Sequence, residues 1–227
     1  MMNTNILEAS RINRVKKAVF SSSIGAYASA EIFKESEGED REPMDLSPGW
    51  AKRMGELQVR AYRTQYGLSN FAVVRPCNVY GPGDTFDPVT AMVIPSLMYR
   101  IHHGEDPLLV WGDGSAIRDF AYSEDVAIGT IQALYYGTDS GFVNLGSGKG
   151  YSVRELVETM QSFIPFRYEF DTSKSGGYPK RVMDITLARK TINYDPSTSL
   201  LEGLKKTWDW FQENPEQHTE KKNYLNE

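Results

Sequence analysis

Short runs of β-branched and aromatic residues alternate along this chain with segments whose apolar residues recur at helical spacing. That alternation limits the fold more than any other feature. "FAVVRP" (Phe71–Pro76) reads as a fully buried strand, and "KAVFSSS", "PLLVWG", "RDFAY", "GFVNLGSG" and "RYEFD" read as further short strands. Between them, Ile6, Leu7, Ala9, Ile12 and Val15 mark an opening helix. Met54, Leu57, Ala61, Tyr62 and Tyr66 mark a helix over Gly49–Tyr66 that Gly67 stops. "VIPSLMYRIHHG" and "SEDVAIGTIQALYYG" predict two more. Ser152 and Glu155 form a capping box for a helix through Phe163, and helices close the chain at about Ile185–Ile192 and Leu200–Asn214. Strands alternating with helices predict an α/β protein with a largely parallel sheet.

Two boundaries are set by local chemistry. Ser47 as N-cap with Pro48 at the first helical position makes a sound start for the Gly49–Tyr66 helix. The acidic, turn-rich stretch Ser23–Pro48 reads as a long loop, either functional or solvated.

Composition removes several classes of function. At 227 residues with 40% hydrophobic and 24% charged residues, the chain can bury a sizeable core. A net charge of −5 argues against general binding to nucleic acid or membrane surfaces. The single cysteine, Cys77, excludes an internal disulfide framework and fits a reducing compartment. No apolar run approaches the ~20 residues of a membrane span, and the N-terminus lacks a signal-peptide pattern, so a cytoplasmic location is expected. His102 and His103 lack metal-ligand spacing, and no metal site is expected.

Several segments carry groups that chemistry can use. "VFSSSIGAY" puts three hydroxyls directly after a strand, where α/β proteins bind ligands and a Ser can donate to a substrate oxygen; a Ser-rich turn has the same sequence. "RPCNVYGPGD" places Asn78 after a strand, in a stretch that equally suits a plain turn with Cys77 as a small buried residue. "VWGDGSAIRDF" offers Trp111 as a stacking surface and Arg118 as a planar cation, with Asp113 and Asp119 as alternative ion-pair partners for Arg118. "KSGGYPKRVMD" adds Lys180 and Arg181 on a loop, as a second phosphate clamp or a solvated basic loop. The strand, Gly-rich turn and helix that hold a dinucleotide pyrophosphate are not found near the N-terminus, so the chain is expected to begin partway through such a fold.

Taken in order, "NILEASRINRVKKAVFSSSIGAY", "GWAKRMGELQVRAYRTQYG", "VVRPCNVYGPGD", "VWGDGSAIRDFAYSEDVA", "NLGSGKGYSVREL" and "RVMDITLARKTINYDPSTSLLEGLKKTWDWF" resemble the extended short-chain dehydrogenase/reductases. Within these the chain resembles the NAD-dependent epimerase/dehydratase family acting on nucleotide sugars, and is most similar to the GDP-L-fucose synthase branch. The resemblance runs from about Asn5 to Asn214. It implies the second half of a Rossmann-type parallel sheet, over residues 1–92 and 119–150. It also implies a small C-terminal α/β lobe for the nucleotide sugar, over residues 93–118 and 151–227.

The resemblance also implies roles. Ser23 matches the family's catalytic Ser/Thr, and Lys52 the lysine that holds the nicotinamide ribose of NAD or NADP. Pro76, Cys77, Asn78 and Val79 match the segment lining the nicotinamide, with Asn78 also near the substrate. Arg100, Trp111, Arg118 and Asp171 match positions that hold a GDP- or UDP-linked sugar, and Arg181 is a further candidate. The family's "PYxxxK" is here "PGWAK", so Pro48 stands four residues before Lys52 where a tyrosine is expected. A general acid or base of that kind is typically worth ~10²–10⁴-fold in rate. Tyr27 matches a different, non-catalytic tyrosine of the family. The branch's epimerisation Cys and His fall at Ile24/Gly25 and Met92. These departures imply a chain without independent catalysis, expected as a homodimer or with a complementing chain.

Overall fold

A computed structural model describes residues 2–37, 39–138 and 141–214. In chain order the helices are α1 (Met2–Ile12), α2 (Leu46–Tyr66), α3 (Val93–His102), α4 (Ser123–Tyr136), α5 (Val153–Gln161), α6 (Thr186–Ile192) and α7 (Leu200–Glu213). The strands are β1 (Ala18–Ser21), β2 (Ile32–Phe33), β3 (Phe71–Pro76), β4 (Asn78–Tyr80), β5 (Leu108–Trp111), β6 (Ile117–Arg118), β7 (Phe120–Tyr122), β8 (Val143–Leu145), β9 (Tyr151–Ser152), β10 (Tyr168–Asp171) and β11 (Lys180–Met183). The chain divides into two units. One gathers the residues up to Val79 with Ile117–Gly150 and Lys180–Ser197; the other gathers Tyr80–Ala116, Tyr151–Pro179 and the chain from Thr198.

In the first unit a parallel sheet runs in the order β1-β3-β8, with Ala18 opposite Phe71 and Val74 opposite Val143. The unbroken apolar run of β3 is explained by its central place, because Phe71, Ala72, Val73 and Val74 are all buried. Full burial of a valine of this kind is worth ~1.5–3 kcal/mol. Helix α4 packs on β1, β3 and β8, and α1 packs on α2. A second parallel set joins β2, β11 and β6, with Met183 opposite Phe33 and Arg181 opposite Arg118. That pairing explains why residues 180–197 belong to this unit, although the sequence groups them with the C-terminal lobe.

In the second unit β5 and β10 pair in parallel, with Leu108 opposite Tyr168 and Trp111 opposite Asp171. Phe86 and Phe211 stack at 4.3 Å, and Leu97, Met98, Leu156 and Leu204 are buried in the same unit. The capping box at Ser152 and Glu155 is present.

The structure corrects the sequence reading at several places. Ser23–Pro48 is not one loop: a 3-10 turn occupies Ile24–Ala26, β2 follows, and Tyr27, Ala28 and Phe33 are buried. Helix α2 starts at Leu46 with Asp45, not Ser47, as its N-cap. Pro48 is then the third helical residue, still among the first four N–H groups that lack a partner, so its missing N–H breaks nothing. The first helix spans Met2–Ile12 and ends before Arg14, whose φ is 51°. "RDFAY" divides into β6 and β7, because Ile117–Arg118 pair with β11 whereas Phe120–Tyr122 pair with β4. Lys180 and Arg181 lie on β11 rather than on a loop. No helix among the described residues is long and apolar enough to cross a membrane.

Candidate functional site

The serine run continues directly from the carboxyl end of β1. Ser22 is buried and donates through Oγ to Glu56 Oε1. Ser23 caps the 3-10 turn, its Oγ accepting from Gly25 N at 3.1 Å. Helix α2 comes close because two positions are glycine. A Cβ at Gly49 would stand 2.4 Å from Gly25 O, and one at Gly25 would stand 2.4 Å from an Asp45 carboxylate oxygen. This approach brings Lys52 to the strand end, where its Nζ donates to Ser21 O at 2.8 Å. Ser23 and Lys52 thus both sit at the end of β1.

Pro76, Cys77, Asn78 and Val79 leave the end of the neighbouring strand β3. Cys77 N donates to Leu145 O at 3.1 Å, and Asn78 Nδ2 donates to Asp119 O at 3.0 Å. The Cys77 thiol is buried 3.6 Å from Asp119 Oδ1; burial first, then that carboxylate, push its pKa well up. Asp119 accepts from Ser147 N at 2.8 Å, Ser147 Oγ at 2.6 Å, Gly148 N at 3.2 Å and Met183 N at 3.1 Å. Burial still raises its carboxyl above the ordinary aspartate value. Asp119 is therefore a structural knot holding three segments together.

Arg118 and Arg181 face each other in register across β6 and β11. Burial, and then the charge of Arg181, lower the Arg118 guanidinium from its ordinary value. Asp113 accepts instead from Ser115 N at 2.9 Å and Ser115 Oγ at 2.6 Å. Two like charges held side by side are suited to an anion.

Tyr27 is 1% exposed, and its phenol donates to Asn144 Oδ1 at 2.8 Å. Burial pushes its pKa far above the usual phenol range, so it stays protonated and locked in the core. Pro48, exposed in the first turn of α2, has no ionisable group.

A buried network beneath the site is not apparent from sequence. Arg75 is fully buried, donating through Nε and Nη2 to Glu56 at 2.8 and 2.6 Å, and it lies 3.5 Å from the Phe142 ring centroid and 4.2 Å from that of Tyr27. The signal for it was one arginine at the end of an otherwise apolar strand, facing a glutamate 19 residues earlier.

In the second unit the register pair Trp111 and Asp171 closes one end of β5 and β10, with Gly112 N donating to Asp171 O at 3.0 Å. Trp111 is 64% exposed. Asp171 Oδ1 accepts from Ser173 Oγ at 2.5 Å and Ser173 N at 3.0 Å, and those donors hold its carboxyl below the usual range. A cavity of about 360 Å³ opens beside the pair, lined by Gly112, Asp113, Ser115, Thr172, Lys174 and Gly176 among others. Gly112, at φ +84°, must stay glycine, because a Cβ would stand 2.9 Å from Gly176 Cα. Arg100 braces α3 to β5, donating from Nε to Glu105 Oε2 and from Nη2 to Leu109 O, each at 2.6 Å.

Of the groups a nicotinamide dinucleotide needs, the described residues fit one end. Ser23, Lys52 and Pro76–Val79 gather at the ends of β1 and β3. Among the described residues no strand and Gly-rich turn lead into a helix N-terminus that could hold a pyrophosphate. Nor do three or more His, Cys, Asp or Glu side chains come together as metal ligands among the described residues.

Known proteins resemble this chain in sequence and fold. The family model for the NAD dependent epimerase/dehydratase family matches residues 1–146. GDP-L-fucose synthase 1 of Arabidopsis thaliana is 32% identical over 94% of this chain and 68% of its own length. GDP-L-fucose synthase of Escherichia coli is 30% identical over 94% of this chain and 72% of its own. Among solved structures, a GDP-L-fucose synthetase from Naegleria fowleri superposes with a TM-score of 0.85 at 26% identity, over 95% of this chain and 71% of that one. UDP-glucose 4-epimerase from Thermotoga maritima, solved with UDP-glucose, gives 0.81 at 30% identity, over 94% and 69%. The chain belongs to the NAD dependent epimerase/dehydratase family.

Proposed function

We propose that this chain binds a GDP- or UDP-linked sugar and does not carry out hydride transfer on its own. The observation that carries this reading is the exposed Trp111 held in register with Asp171 beside a cavity of about 360 Å³. An aromatic face, a carboxylate and backbone N–H groups are the means by which a nucleotide base is stacked and hydrogen-bonded. Within the first unit by itself, the register pair Arg118 and Arg181 is suited to an anion; within the second, Arg100 acts through its brace on β5.

Family membership brings NAD or NADP chemistry, which supplies hydride exchange at a sugar carbon when the cofactor is bound. Toward it this chain contributes the Ser23 hydroxyl, the Lys52 ammonium and the Pro76–Val79 segment, with Asn78 also toward the sugar. No ionisable group stands at Pro48, and the Tyr27 phenol is committed to Asn144. Neither position 48 nor Tyr27 therefore offers a phenol to the sugar oxygen, which supports a binding role. Residues 1–92 and 119–150 are proposed as the dinucleotide side and 93–118 with 151–227 as the sugar side, save that residues 180–197 belong to the first unit. The single buried thiol is consistent with a cytoplasmic setting.

Ligand-dependent melting tests the proposal. GDP- or UDP-sugars raise the melting temperature while NAD(H) and NADP(H) leave it nearly unchanged; a shift with the dinucleotides and none with the sugars overturns it. A homodimer is favoured by Trp50, Met54 and Leu57, 42%, 54% and 45% exposed and spaced along one face of α2. Light scattering that finds a monomer at every concentration removes that part.

A further inference from the structure

We infer that a cavity at the amino-terminal ends of β3 and β8 binds a free α-amino acid with an apolar side chain. The cavity encloses about 200 Å³ and lies wholly within the first unit, between those strand ends and α2. That is below the ~300–1,000 Å³ of clefts that take drug-sized ligands, so its occupant is small. Ser23, Lys52 and Pro76–Val79 stand at the carboxyl ends of β1 and β3, and none of them lines it. The inference therefore goes beyond nucleotide-sugar binding and does not depend on it.

The charged walls of the cavity divide into paired and unpaired groups. Glu56 is held by Arg75 through two hydrogen bonds, at 2.8 and 2.6 Å. Glu39 pairs with Arg60 at 3.1 Å and lies 3.5 Å from Arg75 Nη2. Glu35 and Arg63 remain. Glu35 Oε1 accepts from Asn144 N at 2.9 Å, but its carboxylate has no ion-pair partner among the described residues. Burial raises its carboxyl above the ordinary glutamate value, as expected where no paired cation offsets desolvation. The Arg63 guanidinium has neither an ion pair nor a hydrogen bond among the described residues. The two do not pair with each other, so the cavity keeps a seat for a cation separate from a seat for an anion. Val59, Phe71, Val73 and Phe142 supply an apolar wall, and all four are buried.

Only a zwitterion satisfies both seats. An amine leaves Arg63 unpaired, and a carboxylic acid brings a like charge to Glu35. An α-amino acid offers its ammonium to Glu35 and its carboxylate to the planar Arg63 fork, where charge-assisted bonds are strong. Its side chain must be apolar, because a polar group buried without a partner against those four residues costs free energy.

Titration of the native full chain with L-leucine and L-phenylalanine tests this. Isoamylamine and 4-methylpentanoate serve as the one-charge analogues of leucine, and phenethylamine and 3-phenylpropionate as those of phenylalanine. Saturable binding of at least one amino acid is expected, with both of its analogues at least ~10-fold weaker. Amide shifts on binding should fall at Phe71, Val73 and Phe142. Glu35→Gln and Arg63→Gln each change a half-buried side chain and should stay folded by circular dichroism while binding at least ~10-fold more weakly. No saturable binding of either amino acid, analogues that bind as tightly, shifts at Ser23 and Asn78 instead, or full affinity in either folded variant overturns the inference. None of these outcomes bears on nucleotide-sugar binding, which no lining residue serves.

Discussion

Lys52 Nζ donates to the Ser21 carbonyl at 2.8 Å, which fastens α2 to the carboxyl end of β1. The lysine thereby has a structural function that needs no phenol four residues before it. Lys52→Met is expected to lower stability by about 1 kcal/mol in urea unfolding, since the bond is charge-assisted but half-exposed. Nucleotide-sugar affinity should stay unchanged. A large loss of that affinity would place the ammonium at the ligand instead.

Arg75 and Glu56 are a different case, because both are buried. Removing Arg75 leaves Glu56 a buried charge without its cation, so Arg75→Met is expected to cost ~3–5 kcal/mol; Glu56→Leu should cost less, because Glu39 Oε1 still lies 3.5 Å from Arg75 Nη2. The double replacement should recover much of that loss. Denaturant midpoints of the three variants check this, and additive losses would show the pair to be uncoupled.

Glu35 closes the β8 edge, and burial raises its carboxyl above the ordinary glutamate value. A raised folded value means that its contribution is complete below the unfolded pKa of about 4.3 and is lost as pH rises through the folded one. Glu35→Gln, neutral throughout and still able to accept from Asn144 N, should gain stability relative to the native chain as pH rises above about 4. Unfolding free energies measured across that range decide it; a constant difference contradicts the assignment.

Trp111 is exposed, so its removal should leave folding within about 0.5 kcal/mol of the native chain. If it stacks on a nucleotide base, Trp111→Ala should cost ~1–3 kcal/mol of binding, or ~5–150-fold in Kd. Trp111→Phe should recover part of the loss. Equal Kd values for all three proteins would remove Trp111 from the site.

Local signals made much of this legible. The apolar run of β3 and the capping box at Ser152 and Glu155 lie within a few residues, and both stand as read. Tyr27 and Phe33 were hidden because their burial depends on Asn144 and on Met183, more than a hundred residues away. Ser47 satisfies the local capping rule, yet the close packing of Gly25 and Gly49 accompanies a helix that starts at Leu46. At the candidate site, the residue type of Trp111 and, for Asp171, the family resemblance pointed to binding. Their pairing could not be read from sequence, because 60 positions separate them and strand register alone brings them together.

Titration calorimetry of the native chain with a GDP-sugar, a UDP-sugar, NADH and NADPH tests the central claim most directly. The account predicts saturable heat with at least one nucleotide sugar and none with either dinucleotide. Saturable binding of NADH or NADPH with no heat from the sugars would contradict it.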